Sequence, residues 1–419
     1  MGKQFKQTLL AFAGTLGLVC ATGTAHAIGP LEVAGWELSF SGNVNGFFTS
    51  SKCEPDNDGE VVEAGLACGS NGNDRDVTAI QTGLLPSWFG FNAKTTQNDF
   101  DIGVTIGYQP GISTNNKIGN GDLNSAFGLN NSNFRQVFLN FGQSSWGTVK
   151  IGRDIGIFAS DAILSDMTLL GVGTISDLAT GGGNTTLGRI GTGYVYADWK
   201  AQISWASPNW DGFSMAAGVF SPWGLNGLSG TSATASDIDQ KSDTPRLEGK
   251  GTYMWEGNYP GKVWVSGLYQ SVDSDSGGFD DIDSWGLDAG VKVGMGAFEL
   301  VAYGYTGDAL GTTGYLFDAV DATGDERESK GGYIQGTYKF PGAGTKLGVS
   351  YGVSQLDTAD GDSSNTDLVD ENRSWIVGVY HPLTEALTLV AEYTQTTAEA
   401  HSNNEAEEKT LALGAILFY

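Results

Sequence analysis

Phe134-Arg-Gln-Val-Phe-Leu-Asn-Phe141, then Gly142-Gln-Ser-Ser145, then Trp146-Gly-Thr-Val-Lys-Ile-Gly-Arg153 read as two strands and the tight turn between them. Both arms are rich in aromatic and β-branched residues, the side chains that suit a pleated surface. The stretch that follows, Asp154 to Arg189, is long and rich in Gly, Ser and Thr. Short apolar clusters such as Ile155, Ile157 and Phe158 alternate along it with Asp161, Asp166 and Asp177. A connection of that length in a compact fold is either functional or a sign that the elements have been misread.

The rest of the chain supports the first reading. About 16 segments repeat the same period-2 pattern, with one face apolar and the other polar or small. Phe100, Ile102, Val104, Ile106 and Tyr108 alternate with Asp101, Gly103 and Thr105. Leu347, Val349, Tyr351 and Val353 alternate with Lys346, Ser350 and Ser354. The last segment puts Leu411, Leu413, Ala415, Leu417 and Tyr419 on one face. A soluble β-sandwich would alternate too, so the connections decide. Short ones such as 97–99, 143–145 and 295–297 take turns with long ones such as 51–84, 110–131 and 308–327. That is the plan of an outer-membrane barrel, tight turns at one end and long loops at the other. Lipid leaves backbone amides unsatisfied, so a sheet there must close on itself. The expected fold is an all-β, transmembrane, antiparallel up-and-down β-barrel of about 16 strands. Its apolar residues face lipid and its polar ones the lumen, and Trp36, Trp88, Trp146, Trp210, Tyr259, Trp264 and Tyr419 stand in the interfacial girdles.

Met1 to Ala27 reads as a secretory signal: Lys3 and Lys6, an apolar run from Leu9 to Val19, and Ala25-His26-Ala27 at the cleavage site. Val19 is too large for the residue that normally precedes a lipidated Cys20. Residues 28–419 then form a single barrel domain. Without Lys3 and Lys6, 20 basic residues face 48 acidic ones, a net charge of −28. Such a surface repels nucleic acid. The 11 Trp, 15 Tyr and 20 Phe beside 63 Gly argue against disorder and for a β protein with many turns. Cys53 and Cys68 lie in one loop-like segment and are expected to form a disulfide after secretion; two cysteines without a nearby His make a poor metal site.

Acidic residues gather in the long connections, for example Asp318, Asp321, Asp325 and Glu326, and Asp357, Asp360 and Asp362. They read as a solvated loop surface, with Ca2+ or Mg2+ binding as the alternative, although no EF-hand spacing is present. An enzyme is disfavoured. Only His381 and His401 remain after signal removal, and no nucleophile elbow, phosphate loop or zinc motif appears.

Taken together, the signal, the strands, the terminal aromatic residue and the long third loop resemble the general porin family of Gram-negative outer membranes, the 16-stranded trimeric type. The sharpest likeness is Phe134 to Arg153 running into its long loop, which is similar to the fifth strand and third loop of those proteins. The resemblance implies that the loop, about 154–190, folds into the lumen. Its acids Asp161, Asp166 and Asp177 would face basic residues on the wall, for which Arg135, Lys150, Arg153 and Arg189 are the candidates. Strand parity by itself makes Lys150 lumenal and Arg153 not, unless the strand bends. It also turns Lys200, Glu248, Lys250, Asp288, Lys292, Glu299, Lys346 and Glu392 inward. The resemblance further implies a homotrimer in outer-membrane lipid and lipopolysaccharide. The barrel-assembly machinery would read Leu411, Leu413, Ala415, Leu417 and Tyr419, the last in place of the commoner Phe. The implied function is passive diffusion of ions and small hydrophilic solutes, leaning toward cations because carboxylates outnumber basic groups. A solute-specific channel with a saturable site, and a structural or adhesive barrel, are the alternatives.

Overall fold

In the computed structural model, residues 28–55, 61–68, 75–112, 134–175, 185–230, 232–234, 240–274, 280–363 and 366–419 are described. The chain forms β1 (Ile28–Val33), β2 (Trp36–Pro55), β3 (Arg75–Gln81), β4 (Trp88–Gln97), β5 (Phe100–Tyr108), β6 (Phe134–Gln143), β7 (Gly147–Ile155), β8 (Trp199–Ala206) and β9 (Phe213–Phe220). It continues with β10 (Gln240–Lys241), β11 (Arg246–Trp255), β12 (Gly261–Ser274), β13 (Ile282–Met295), β14 (Phe298–Asp308), β15 (Glu328–Lys339), β16 (Lys346–Leu356), β17 (Val369–Pro382), β18 (Leu387–Ala400) and β19 (Glu405–Phe418). In the third loop a short helix, α1 (Ser160–Ser165), precedes a 3-10 turn, Met167–Leu170.

Neighbouring strands pair antiparallel throughout, and two joints close the sheet. β9 pairs with β11 (Phe220↔Arg246) and β19 pairs with β2 (Leu413↔Phe48). β3 and β4 share one edge of β2 end to end, at Phe48↔Ile80 and Phe40↔Phe91, so they count as one stave broken at residues 82–87. β1 meets β2 at Val33↔Trp36, beyond the end of β19. The result is a closed barrel of 16 staves, as the alternation predicts.

Side chains obey the pleat. Val265, Leu287, Val349, Trp375 and Leu413 stand exposed on the outer wall, while Ser266, Asp288, Ser350, Ser374 and Ala412 beside them are buried inside. Tyr419 exchanges both backbone hydrogen bonds with Gly42 (2.8 and 2.9 Å), and its ring covers that glycine so closely that a β-carbon there would lie 2.7 Å from the phenol oxygen. Cys53 and Cys68 are disulfide-bonded, as expected. The bridge ties the first loop to β2, and hydrogen bonds from Leu66 N–H to Asn372 Oδ1 and from Cys68 N–H to Glu408 Oε2 tie it to β17 and β19.

Two girdle assignments fail: Trp88 stands in register with inward Asn43, its indole lying over Gly90 and Gly107. Trp264 is 2 % exposed and faces inward, stacked on Tyr303 with ring centroids 6.5 Å apart. The reason is that much of the interior is packed. Phe158, Ala162 and Tyr194 of the third loop join Trp264, Tyr303, Tyr305 and Tyr333 of the wall and Leu310 and Leu316 of the sixth loop in one apolar cluster. The loop acids Asp318 and Asp321 are likewise buried rather than solvated. Asp318 accepts from Leu228 N–H, Ser229 N–H and Ser229 Oγ, pinning the fourth loop to the sixth. Among the described residues, no group of acids is arranged to hold a metal ion.

Candidate functional site: the third loop inside the barrel

Between β7 and β8 the described parts of the third loop, residues 156–175 and 185–198, run inside the barrel, and the connection ends later than the 154–190 read from sequence. It stays there because the wall binds its backbone. Glu248 on β11 accepts the N–H groups of Ile157 (2.6 Å) and Phe158 (3.0 Å). Asp288 on β13 accepts that of Ala159 (2.9 Å), and Glu392 on β18 those of Val172 (2.7 Å) and Gly173 (2.9 Å). Gln335 takes Met167 N–H and returns a bond to Ser165 O, and Ser354 Oγ takes Gly193 N–H. A loop has no ladder to satisfy its amides, and buried amides without partners are costly. Parity correctly turned these wall carboxylates inward. Their work is to hold the loop, whereas the sequence suggested a wall facing water.

Asp161 sits in the first turn of α1, buried, with one ammonium on each carboxylate oxygen: Lys262 Nζ at 2.5 Å from Oδ1 and Lys250 Nζ at 2.6 Å from Oδ2. Burial acts to raise its pKa, but the two lysines outweigh burial and hold it at about 2. Lys292 and Lys346 continue the row of inward lysines, with Glu299 2.9 Å from Lys292. Asp161 therefore meets basic residues, though not the predicted ones.

Each predicted partner has another place. Lys150 is inward and buried but pairs with Asp154 two positions further along the same face. Arg153 stands in register with outward Val137, as straight-strand parity requires. Arg135 lies at the rim, its Nη1 3.5 Å from the Tyr196 phenol oxygen. Arg189 belongs to the loop itself and is 0 % exposed. Its Nε donates to Ser350 Oγ (2.6 Å), and its Nη1 to Ser374 Oγ (3.2 Å) and Thr192 O (3.3 Å). Burial pulls its pKa down, and Asp166 nearby acts against that. Asp166 is turned away from open space: it accepts from Thr168 N–H and from the Tyr194 hydroxyl at 2.9 Å. Asp177 lies outside the described residues. Lys262 was missed, and only a correct inward reading of Trp264, two residues on, reveals it.

On the extracellular side of the loop is a cavity of about 230 Å³, bounded by the two arms of the third loop, the 82–87 break, and the fourth and sixth loops.

A family model described as Gram-negative porin matches residues 14–401. No curated protein matches the chain in sequence. Among solved structures, the outer membrane channel DcaP of Acinetobacter baumannii is similar over 93 % of this chain and 99 % of its own, at 18 % identity and a TM-score of 0.65. An anion-selective porin from Comamonas acidovorans is similar over 92 % and 100 %, at 11 % identity and a TM-score of 0.59. OmpT of Vibrio cholerae in its trimer form is similar over 92 % and 100 %, at 12 % identity and a TM-score of 0.51. With the closed 16-stave barrel and the family match over nearly its whole length, this chain belongs to the Gram-negative porin family, and is an outer-membrane channel rather than an enzyme.

Proposed function

We propose that the channel passes ions and small hydrophilic solutes passively, and that the third loop sets its narrowest part. The observation behind this reading is Asp161 held between Lys250 and Lys262 inside the barrel. Opposed charges across a narrow passage make a transverse field that orients water and dipolar solutes. The cation preference expected from the net charge of the chain is, in this proposal, weak. The acidic outer loops attract cations, but the inner wall sets Lys250, Lys262, Lys292 and Lys346 against Asp161 and Glu299. Recordings in planar bilayers test both parts. Folded protein without conductance defeats the channel reading. A strongly anion-favouring reversal potential in a salt gradient defeats the cation lean.

The remaining parts of the proposal follow the family. Residues 1–27 are removed on export, the barrel assembles as a homotrimer as the trimer form of OmpT does, and the outward face ending in Tyr419 guides insertion among lipid and lipopolysaccharide. Cross-linking of the folded protein, resolved by size, tests the trimer.

A further inference from the structure

The cavity above the third loop is unlike the vestibule of a passage for polar solutes. Its wall is mainly apolar, with Ile163, Leu169, Leu187, Ile190, Trp199 and Trp223 part of it; Arg135 and Tyr196 also line it, as does the acid Asp198, whose Oδ1 accepts from Trp199 N–H. Around the cavity the cations Arg135, Lys200 and Arg246 outnumber the carboxylates Asp198 and Glu248. Arg246 is 0 % exposed, with its guanidinium carbon 5.9 Å from the Trp223 ring centroid and 4.6 Å from that of Tyr315. Its Nη1 and Nη2 have no hydrogen-bond acceptor among the described residues. Lys200, next to Trp199 in the chain, shares the single carboxylate of Glu248 with Arg246, at 2.7 and 3.2 Å.

We infer that this cavity binds small organic anions with a compact apolar body, the carboxylate meeting Arg135 and Tyr196 and the body lying against the leucines and Trp223. The reasoning is chemical. A sugar or other polyol placed here leaves hydroxyls without partners against an apolar wall, which is costly. An inorganic anion gains from the positive potential but nothing from the wall, and a cation meets Arg135 at the rim with Arg246 and Lys200 behind. An anion with an apolar body satisfies both features, in a concave apolar site with a few convergent polar groups. Charge-assisted hydrogen bonds from an arginine then fix its orientation.

This inference rests on the channel reading, and one set of recordings separates the two. Benzoate, acetate and benzyl alcohol are added to the conducting protein in a planar bilayer. Benzoate should reduce the current saturably, at a half-blocking concentration at least about tenfold below those of acetate, which lacks the body, and benzyl alcohol, which lacks the charge. Arg135→Gln should raise the benzoate value by about tenfold or more, as loss of one charged hydrogen bond implies. Leu187→Asn, which makes the wall polar, should weaken benzoate block even if Arg135→Gln gives no stable barrel. Equal block by the three probes, or benzoate block unchanged in either folded variant, overturns the site. Protein without any conductance overturns the channel reading and the site with it.

Discussion

Asp161 shows how much one side chain controls. Its carboxyl titrates near 3.8 when unpaired and at about 2 in the folded barrel, a difference equivalent to roughly 2 kcal/mol. Because the folded value is the lower one, that contribution is complete above about pH 4 and disappears as pH falls through about 2. Asp161→Asn should remove it at all pH values and free Lys250 and Lys262. The expected outcome is a reversal potential shifted toward anions at neutral pH, with the acid-induced change in current of the parent protein lost. Arg189 is the complementary case, a buried cation that no carboxylate holds by hydrogen bond in the described contacts. Arg189→Ala leaves Ser350, Ser374 and Thr192 O short of a donor and should cost about 2–4 kcal/mol. Thermal unfolding followed by near-ultraviolet circular dichroism reads this directly.

At the scale of the element, some sites were legible and others were not, for identifiable reasons. Period 2 turned Lys150, Lys200, Glu248, Asp288 and Glu392 inward without any knowledge of the loop. The girdle reading failed on β12, where Trp264 is inside because it packs in the cluster with the third loop rather than facing lipid. The equation of apolar with outward breaks wherever the lumen is packed, and Lys262 was lost with it. Arg189 was illegible for another reason. Its partners Ser350 and Ser374 are 161 and 185 residues away in sequence, a separation no local pattern encodes. The first loop gives a cleaner test. Cys53 and Cys68 are 15 residues apart, and a loop of that size implies about 3 kcal/mol from the bridge. Reducing it, or making Cys68→Ser, should speed hydrogen exchange at Leu66 and Cys68, whose N–H groups are held by Asn372 and Glu408. The barrel strands should keep their protection.

For the whole molecule, the outer and inner faces tolerate opposite chemistry. Leu413 stands exposed on the outer wall, in register with Phe48 of β2. Leu413→Arg should destabilise the barrel by about 2–4 kcal/mol if it meets the middle of the bilayer, measured as urea-dependent folding into lipid vesicles. The same arginine at Ser350, inside, would collide with Arg189 and displace the loop while leaving the lipid face intact. The fold itself, 16 staves with short turns below and long loops above, was readable because lipid imposes one rule on every strand. The interior was not, because each of its contacts is a private agreement between distant residues.

The anchoring of the third loop also sets an order of events. Residues 156–198 are made before any of Glu248, Asp288, Gln335, Ser350, Ser374 and Glu392, the groups that hold them. Such pairings close long stretches of chain and form slowly. The loop is therefore made before its anchors and cannot be fully seated until β11, β13, β15, β16, β17 and β18 stand around it, so a barrel whose third loop is unseated is a wider hole than the finished one.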